Sequence, residues 1–226
     1  MFRLLFSQSA TLSRRSALAA GALLALSSLI LPATEARAQA PLKPDVDMAE
    51  FMKPGELPEN VMGKEDAPFT IVEYSSMTCP HCARFHKDVL PELKKKYIDT
   101  GKAKYVLREF PLDNVAAAAA MLARCAGKEK YFPLIEAFFA QQKDWVVQKP
   151  LQPMFAIAKQ AGFTQQSFDE CLANQRMLNG IEESRTRAAS KFNVTSTPTF
   201  FINGKIFRGA LTVEELDKQV APYLKG

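Results

Sequence analysis

Two cysteines separated by two residues stand where a strand-like segment gives way to a helix-like one, and this arrangement limits the folds open to the chain. Phe69–Ser75 is a run of β-branched and aromatic side chains, the composition of a buried strand. Cys79-Pro80-His81-Cys82 follows, and bulky or apolar residues then recur every three or four positions as far as Tyr97, which predicts a helix. After Gly101, Ala103–Phe110 predicts a second strand, and the β-α-β order favours parallel pairing.

The second half of the chain predicts helices first and a small β-β-α unit last. Residues 113–192 carry no good strand signal, and their prolines and glycine divide them into four or five predicted helices. Asn203-Gly204 lies between two strand-like runs and is a strong signal for a two-residue hairpin turn. Thr212, followed by Glu215 three residues later, has the pattern of a capping box and predicts a final helix.

These elements predict an α/β domain interrupted by an all-helical insertion. Residues 68–112 and 193–226 form the two parts of the α/β domain, and residues 113–192 form the insertion. Residues 39–67 are rich in proline, glycine and acids and are expected to form an extended N-terminal arm.

The first 38 residues have the three parts of a cleavable export signal. A basic segment without acids is followed by an apolar run, Ala17–Leu31, and by Ala36-Arg37-Ala38. The apolar run is shorter than the roughly 20 residues that a spanning helix needs, which favours cleavage after Ala38 over a membrane anchor. The pair Arg14-Arg15 also resembles a twin-arginine signal, with an ordinary secretory signal as the alternative.

The net charge gives no support to nucleic-acid binding. The formal charge is +5, and the signal, with four arginines and one glutamate, contributes +3 of it. The rest of the chain is therefore close to neutral, and its charge is no evidence for nucleic-acid binding, which would need a basic face.

The pair Cys79 and Cys82 has three common interpretations: a redox disulfide, half of a zinc site, or chance. Structural zinc usually takes four ligands, and the chain has no second Cys-x-x-Cys and only the histidines His81 and His86. A site made of Cys79, Cys82 and His86 on one helix face is conceivable. Haem attachment requires histidine directly after the second cysteine, where Ala83 stands.

Each position of the tetrad has a physical reason in a redox site. A helix N-terminus offers unpaired N–H groups and the positive end of the helix dipole, which favour the Cys79 thiolate. Pro80 fits the first helical position because it has no N–H group, and His81 adds a donor or a positive charge beside the sulfur. Cys82 is expected to be buried one turn into the helix, where it can resolve a mixed disulfide. A stabilised thiolate is a good leaving group, which favours an oxidising disulfide.

Three segments resemble the DsbA family of periplasmic thiol oxidases: Glu73–Cys82, Arg108–Leu112 and Thr195–Gly204. With the helical segment between them, the resemblance extends over residues 60–224. It implies a thioredoxin fold with an inserted all-helical subdomain, and a low-pKa Cys79 with a strongly oxidising disulfide.

The resemblance also implies roles for three residues outside the tetrad. Pro198 falls where family members carry a cis-proline opposite the two cysteines, with the Thr197 backbone exposed for strand-like pairing with an extended substrate. Glu73 falls where thioredoxin-like proteins keep a buried acid that exchanges a proton with the resolving cysteine; a strand-edge glutamate in water is the alternative. DsbA oxidases often have valine in place of Thr197. Threonine is commoner in disulfide isomerases and in other DsbA-like proteins, so the direction of electron flow stays open.

The remaining cysteines and the second histidine are expected to be structural. Four cysteines in an exported protein favour two disulfides, so Cys125 and Cys171 are the predicted structural pair, with two buried free thiols as the alternative. His86, one turn after Cys82, is expected to face solvent or to cap the helix.

The sequence therefore predicts a periplasmic thiol:disulfide oxidoreductase that introduces disulfide bonds into cysteine-containing exported proteins through Cys79 and Cys82. By the resemblance, a membrane partner of the DsbB type reoxidises the dithiol, and the chemistry needs no metal or organic cofactor. A disulfide isomerase or reductase of the same fold, and a non-catalytic metal-binding or chaperone module, are the other interpretations.

Overall fold

A computed structural model describes residues 44–224, and five strands form its centre. They are β1 (Asn60–Gly63), β2 (Phe69–Ser75), β3 (Ala103–Glu109), β4 (Thr199–Ile202) and β5 (Lys205–Arg208). Their order in the sheet is β1-β3-β2-β4-β5, with β2 and β3 parallel and the other pairs antiparallel. The export signal predicted over residues 1–38 lies outside the described residues.

The α-helices surround this sheet and are short for the most part. In chain order they are α1 (Met48–Phe51), α2 (Pro80–Arg84), α3 (Leu90–Leu93), α4 (Asn114–Cys125), α5 (Lys128–Ala140), α6 (Gln142–Trp145), α7 (Leu151–Gln160), α8 (Gln165–Leu172), α9 (Gln175–Phe192) and α10 (Val213–Val220). Within residues 44–224, each of these helices is too short or too polar to cross a membrane.

The alternation of side chains along β2 divides the core into two layers. Because successive residues of a strand point to opposite faces, Ile71 and Glu73 share one face and Val72 and Tyr74 the other. The first face packs against the helices that follow the Cys-x-x-Cys segment and against most of the helical insertion. The second face is covered by α1 and by the end of α9. The carboxyl group of Glu73 is thereby directed towards the layer that contains the cysteines.

The helix predicted after the tetrad is continuous but contains two π-helical turns. α2 passes into a π-helical turn, Phe85–Val89, and α3 passes into another, Lys94–Ile98. Pro91 lies inside this helix, where its ring has no N–H group to donate and would crowd the carbonyl of Lys87 in regular α-helical geometry. The first wide turn lies between α2 and this proline, and turns of this kind are frequent at functional sites.

The local signals at the C-terminal end are confirmed. Asn203 and Gly204 both have positive φ (44° and 82°), as the tight hairpin between β4 and β5 requires. Thr212 and Glu215 make the reciprocal hydrogen bonds of a capping box at the start of α10.

Six helices, α4 to α9, fill residues 113–192, all of which the structure describes, and there is no strand among them. The predicted fold class, a thioredoxin α/β fold with an inserted helical subdomain, is confirmed. The sequence did not predict β1: this four-residue strand pairs antiparallel with the edge of β3, in a segment interpreted as an extended arm.

Cys125 and Cys171 are joined by a disulfide that ties the end of α4 to α8. The two residues are 46 positions apart, and their Cα atoms lie 6.1 Å apart. The bridge therefore closes a long loop within the helical insertion.

Replacing both residues, Cys125→Ala with Cys171→Ala, is expected to lower the free energy of unfolding by up to about 4 kcal/mol, because the unfolded chain then gains the conformations that the loop excluded. Urea denaturation of the two proteins, both with Cys79 and Cys82 as the disulfide, measures the change. An unchanged urea midpoint, or a non-reducing peptide map without the cross-linked pair, would contradict this prediction.

Candidate active site

Cys79 lies at the junction between the loop that follows β2 and the N-terminus of α2. It is the N-cap residue of α2, with extended backbone angles (φ −78°, ψ 119°), and Pro80 occupies the first turn. The backbone N–H groups of His81 and Cys82, which a helix cannot pair internally at its first turn, hydrogen bond to the Cys79 sulfur. The sulfur thus receives hydrogen bonds where a negative charge is also favoured by the helix dipole.

The environment lowers the pKa of Cys79 to about 5. The largest cause is a hydrogen bond from the Cys82 thiol; burial opposes it, and the nearby Thr197 side chain and hydrogen bonds from the two backbone N–H groups add to it. At neutral pH the reduced site therefore holds Cys79 as a thiolate, the form that attacks disulfides and leaves mixed disulfides.

The environment of Cys82 acts in the opposite direction. Its side chain is fully buried, and burial, the hydrogen bond with Cys79 and the negative charge of Glu73 together raise its pKa well above the ordinary value of a thiol. The nearby hydroxyl of Ser75 opposes these effects. The two sulfurs of one helical turn thus differ in their affinity for a proton, with Cys79 ionised and Cys82 protonated.

His81 contributes to the site through its backbone. Its imidazole is exposed, and Nδ1 accepts a hydrogen bond from the Arg84 guanidinium at 2.6 Å. The side chain was expected from the sequence to stand beside the sulfur; in the structure, the hydrogen bond that reaches Cys79 comes from the backbone N–H.

Thr197 and Pro198 lie opposite the tetrad, on the loop that leads into β4. The peptide bond between them is cis. The carbonyl oxygen of Thr197 lies 3.3 Å from the Cys79 sulfur and accepts its hydrogen bond when Cys79 is protonated. The loop and the tetrad therefore meet at the Cys79 sulfur, although 118 positions separate them in the chain.

Glu73 is fully buried on the face of β2 that packs under the active-site helix. Tyr105, from β3, donates a short hydrogen bond to its Oε2 atom. The imidazole Nε2 of His86 lies 3.3 Å from the same oxygen. The strand-edge alternative for Glu73 is therefore wrong.

The expectation that His86 faces solvent is also wrong. Its side chain is 1% exposed and packs against the ring of Phe139, with ring centroids 4.3 Å apart. The spacing carried a signal for this, because positions four apart, such as Cys82 and His86, lie on the same face of a helix.

Two residues of the insertion hold the active-site loop, and no motif in the sequence marks them for this role. Gln142 of α6 donates through its side-chain amide to the carbonyl oxygens of Met77 (2.8 Å) and Cys79 (3.1 Å). Asp113, which caps α4, accepts from the hydroxyl of Thr78 at 2.7 Å. The helical insertion thus fixes the backbone from which Cys79 projects.

In the part of the chain that the structure describes, no group of three or more histidine, cysteine, aspartate or glutamate side chains is placed to hold a metal ion. Cys79, Cys82 and His86, the conceivable zinc ligands, do not form such a group. The geometry is that of a dithiol with one ionised and one protonated sulfur, a site built for thiol–disulfide exchange.

The class that this fold and site define is the thioredoxin-like thiol:disulfide oxidoreductases, and comparisons with known proteins agree. A family model described as Thioredoxin matches residues 56–221. A Rickettsia bellii protein named as a protein-disulfide oxidoreductase is 34% identical over 181 residues, which cover 78% of this chain and 68% of that protein. A Rickettsia conorii protein of the same name is 36% identical over 146 residues, 64% of this chain and 53% of its own length.

Among solved structures, alpha-DsbA1 of Wolbachia pipientis superposes with a TM-score of 0.70 and 33% identity, over 75% of this chain and 92% of that one. The chain belongs to the thioredoxin superfamily and, within it, to the DsbA-like thiol:disulfide oxidoreductases.

The alkylation rate of Cys79 in the reduced protein is expected to reach half its maximum at about pH 5 and to stay level at higher pH, because the thiolate is the reacting form. Rates with iodoacetamide, together with the ultraviolet absorbance of the thiolate, give the profile. Cys79→Ser is the control: Cys82, whose pKa is raised, should stay unreactive over the same range. A midpoint close to the value of an ordinary thiol, about 8.5, would contradict the prediction.

Proposed function

We propose that this chain is an exported thiol:disulfide oxidoreductase that introduces disulfide bonds into other exported proteins. The observation that carries the proposal is the opposite proton affinity of the two sulfurs, with the pKa of Cys79 lowered and that of Cys82 raised. Because the stabilised Cys79 thiolate favours the reduced form of the enzyme, the disulfide form is a good electron acceptor.

The reaction begins when a substrate thiolate attacks Sγ of Cys79 in the Cys79–Cys82 disulfide. The bond between the two enzyme sulfurs breaks, its electron pair stays on Cys82, and Cys82 takes up a proton. A second substrate thiol loses its proton and attacks the substrate sulfur of the mixed disulfide, and Cys79 leaves as the thiolate. The substrate has then lost two electrons to the enzyme, and the proton lost by its second thiol matches the one gained by Cys82.

Glu73 is the group that we assign to the proton step at Cys82. It is buried on the same side of the sheet, and its charge acts on the Cys82 sulfur. A buried sulfur cannot exchange protons freely with water, so a carboxyl group beside it can supply or accept the proton during bond exchange.

Thr197 and Pro198 are assigned to substrate binding. Their loop meets the tetrad at the reacting sulfur, with the Thr197 carbonyl in contact with Cys79. An extended substrate that pairs with this backbone would bring its cysteine to Cys79, in the manner of strand addition.

The partners of the proposal are cysteine-containing exported proteins as substrates and a membrane protein of the DsbB type as the oxidant of the dithiol. The export signal predicted over residues 1–38 and the unequal sulfurs support an oxidising role outside the cytoplasm. The alternative, an isomerase or reductase, draws its support from Thr197, and the redox potential distinguishes it from the oxidase.

The redox potential of Cys79 and Cys82 at equilibrium with glutathione is expected to lie nearer to the roughly −120 mV of DsbA than to the roughly −270 mV of thioredoxin. The physical reason is the stabilised thiolate of the reduced form. The oxidised protein should also form the disulfide of a reduced two-cysteine peptide in one turnover. A strongly reducing potential would favour the isomerase or reductase, and tight zinc binding without turnover would favour the metal-binding module.

Glu73→Gln is expected to slow the step in which Cys82 attacks the mixed disulfide and releases the bound thiol, by up to about a hundredfold at neutral pH, because the amide cannot accept the proton of Cys82. Stopped-flow measurement of release from Cys79 tests this. Glu65→Gln, which alters an exposed glutamate paired with Lys104, is the matched control and should leave the rate unchanged. Unchanged kinetics in Glu73→Gln would reject the role.

A further inference from the structure

The buried polar atoms that lack a hydrogen-bond partner are concentrated at the two cysteines. Among the described residues there are six such side-chain atoms, and five of them belong to residues around the dithiol. They are Oε1 of Glu73, Oγ of Ser75, both ring nitrogens of His86 and Oγ1 of Thr197. An unpaired polar atom in a protein interior is costly, so its presence at one site calls for an explanation in the chemistry of that site.

His86 is the most unusual member of this set, because the exchange reaction proposed for the two cysteines does not use it. Its ring is fully enclosed, with Glu73 on one side and the Phe139 ring of the insertion on the other. Nε2 lies 3.3 Å from the carboxylate, within range for a proton to be shared after a small adjustment, yet it is not aligned as a hydrogen bond in the dithiol form. Within residues 44–224, His86 is the one ion-pair partner of Glu73.

The groups around the pair leave few candidates for a proton exchange near neutral pH. The titratable side chains are Glu73 on β2, Tyr105 on β3, Cys79 and Cys82 at the start of α2 and, further out, Tyr131 on α5. Burial raises the pKa of both tyrosines well above the usual value, so both stay protonated. In the mixed disulfide Cys79 is bonded to the substrate sulfur and cannot hold a proton, so Glu73 and His86 are left to balance the proton that Cys82 gains or loses.

We propose that Glu73 and His86 hold one proton as a pair and exchange it with the Cys82 sulfur, His86 acting through the carboxylate as a positioning and proton-holding residue. The proposal rests on the proposed function and extends it to a residue outside the tetrad and its loop.

In the protonated state the pair carries no net charge, as a carboxylate beside an imidazolium. When substrate attack breaks the Cys79–Cys82 bond, the electron pair stays on Cys82 as a thiolate, and the proton moves from the pair to this sulfur. The pair is left as a carboxylate beside a neutral imidazole, so one negative charge has passed from the sulfur to the pair. In the reverse step, when Cys82 attacks a mixed disulfide at Cys79, the pair takes the proton back.

The pair explains how a buried carboxylate can serve as a base although no lysine or arginine among residues 44–224 forms an ion pair with it. A nearby positive charge favours the ionised form of a carboxyl group, and burial alone favours the neutral form. An imidazole supplies that charge only while it holds the proton, so it does not lock the carboxylate in one state as a fixed cation would.

The test is the pH profile of the step in which Cys82 attacks a mixed disulfide between Cys79 and glutathione, followed as glutathione release in a single turnover. In His86→Phe, which keeps an aromatic ring beside Phe139, the midpoint of the profile is expected to move to lower pH, because the carboxylate alone holds the proton less tightly than the carboxylate and the imidazole together. His86→Gln, which keeps a polar group but cannot be charged, should show the same shift.

Lys87→Gln is the matched control. It removes a positive charge from the neighbouring residue, which is exposed, and should leave the midpoint unchanged. The double variant Glu73→Gln with His86→Phe should have the profile of Glu73→Gln alone, because residues that act as a unit are not additive. Additive effects of the two substitutions would overturn the pair.

Two results separate this inference from the proposed function. If glutathione is released at the wild-type rate and midpoint in both His86 variants, His86 is a packing residue and the redox function stands. If the wild-type protein does not release glutathione at all, the redox function itself fails.

If neither His86 variant folds, NMR of the wild-type protein tests the proposal. The chain has only two histidines and therefore two sets of imidazole signals. The His86 signals are expected to report a different protonation state in the dithiol and the disulfide at the same pH. Signals that are independent of the redox state would overturn the proposal.

Discussion

Burial of the Glu73 carboxyl group is the constraint on which the arrangement of the active site depends. Moving an ionised carboxylate out of water costs several kcal/mol unless other groups compensate for it. The compensation here consists of a hydrogen bond from Tyr105 and the nearby imidazole of His86, and one carboxylate oxygen is left without a partner. The carboxyl group is held in this place by the alternation of β2, whose other inward residues are part of the core.

The helix that follows β2 gives two chemically identical side chains, Cys79 and Cys82, different pKa values. Cys79 lies at the helix N-terminus, where backbone N–H groups point at its sulfur. Cys82 lies one turn further on, away from those groups and near the charge of Glu73. A separation of three positions along one helix is therefore enough to lower the pKa of one thiol and to raise that of the other.

The parts of the structure that depend on nearby residues could be predicted from the sequence. Strand β2, the Asn203-Gly204 hairpin and the Thr212 capping box follow from composition and turn chemistry over fewer than ten residues. Strand β1 could not be predicted in this way, because its four residues become a strand only by pairing with the edge of β3.

The errors at the site have physical causes of the same kind. His86 was expected to face solvent or to cap the helix, yet it is enclosed, whereas the apolar Val89 is only partly buried. The two π-helical turns shift which residues face the sheet, and a repeat of 3.6 residues does not describe them. The contact of His86 with Phe139 joins residues that are far apart in the chain, and no local pattern reports such a contact.

The hydrogen bonds of Gln142 have a consequence for how the two parts of this fold can vary. The side-chain amide of Gln142, in the insertion, donates hydrogen bonds to the backbone carbonyl groups of Met77 and Cys79. The conformation of the active-site loop therefore depends on residues of the insertion as well as on the tetrad. A chimera that kept this sheet and its cysteines but received helices from another protein would contain both sulfurs. It would lack the Gln142 hydrogen bonds that hold the loop before Cys79. The insertion and the tetrad are therefore expected to vary together, because the loop that carries Cys79 is supported by a side chain of the insertion.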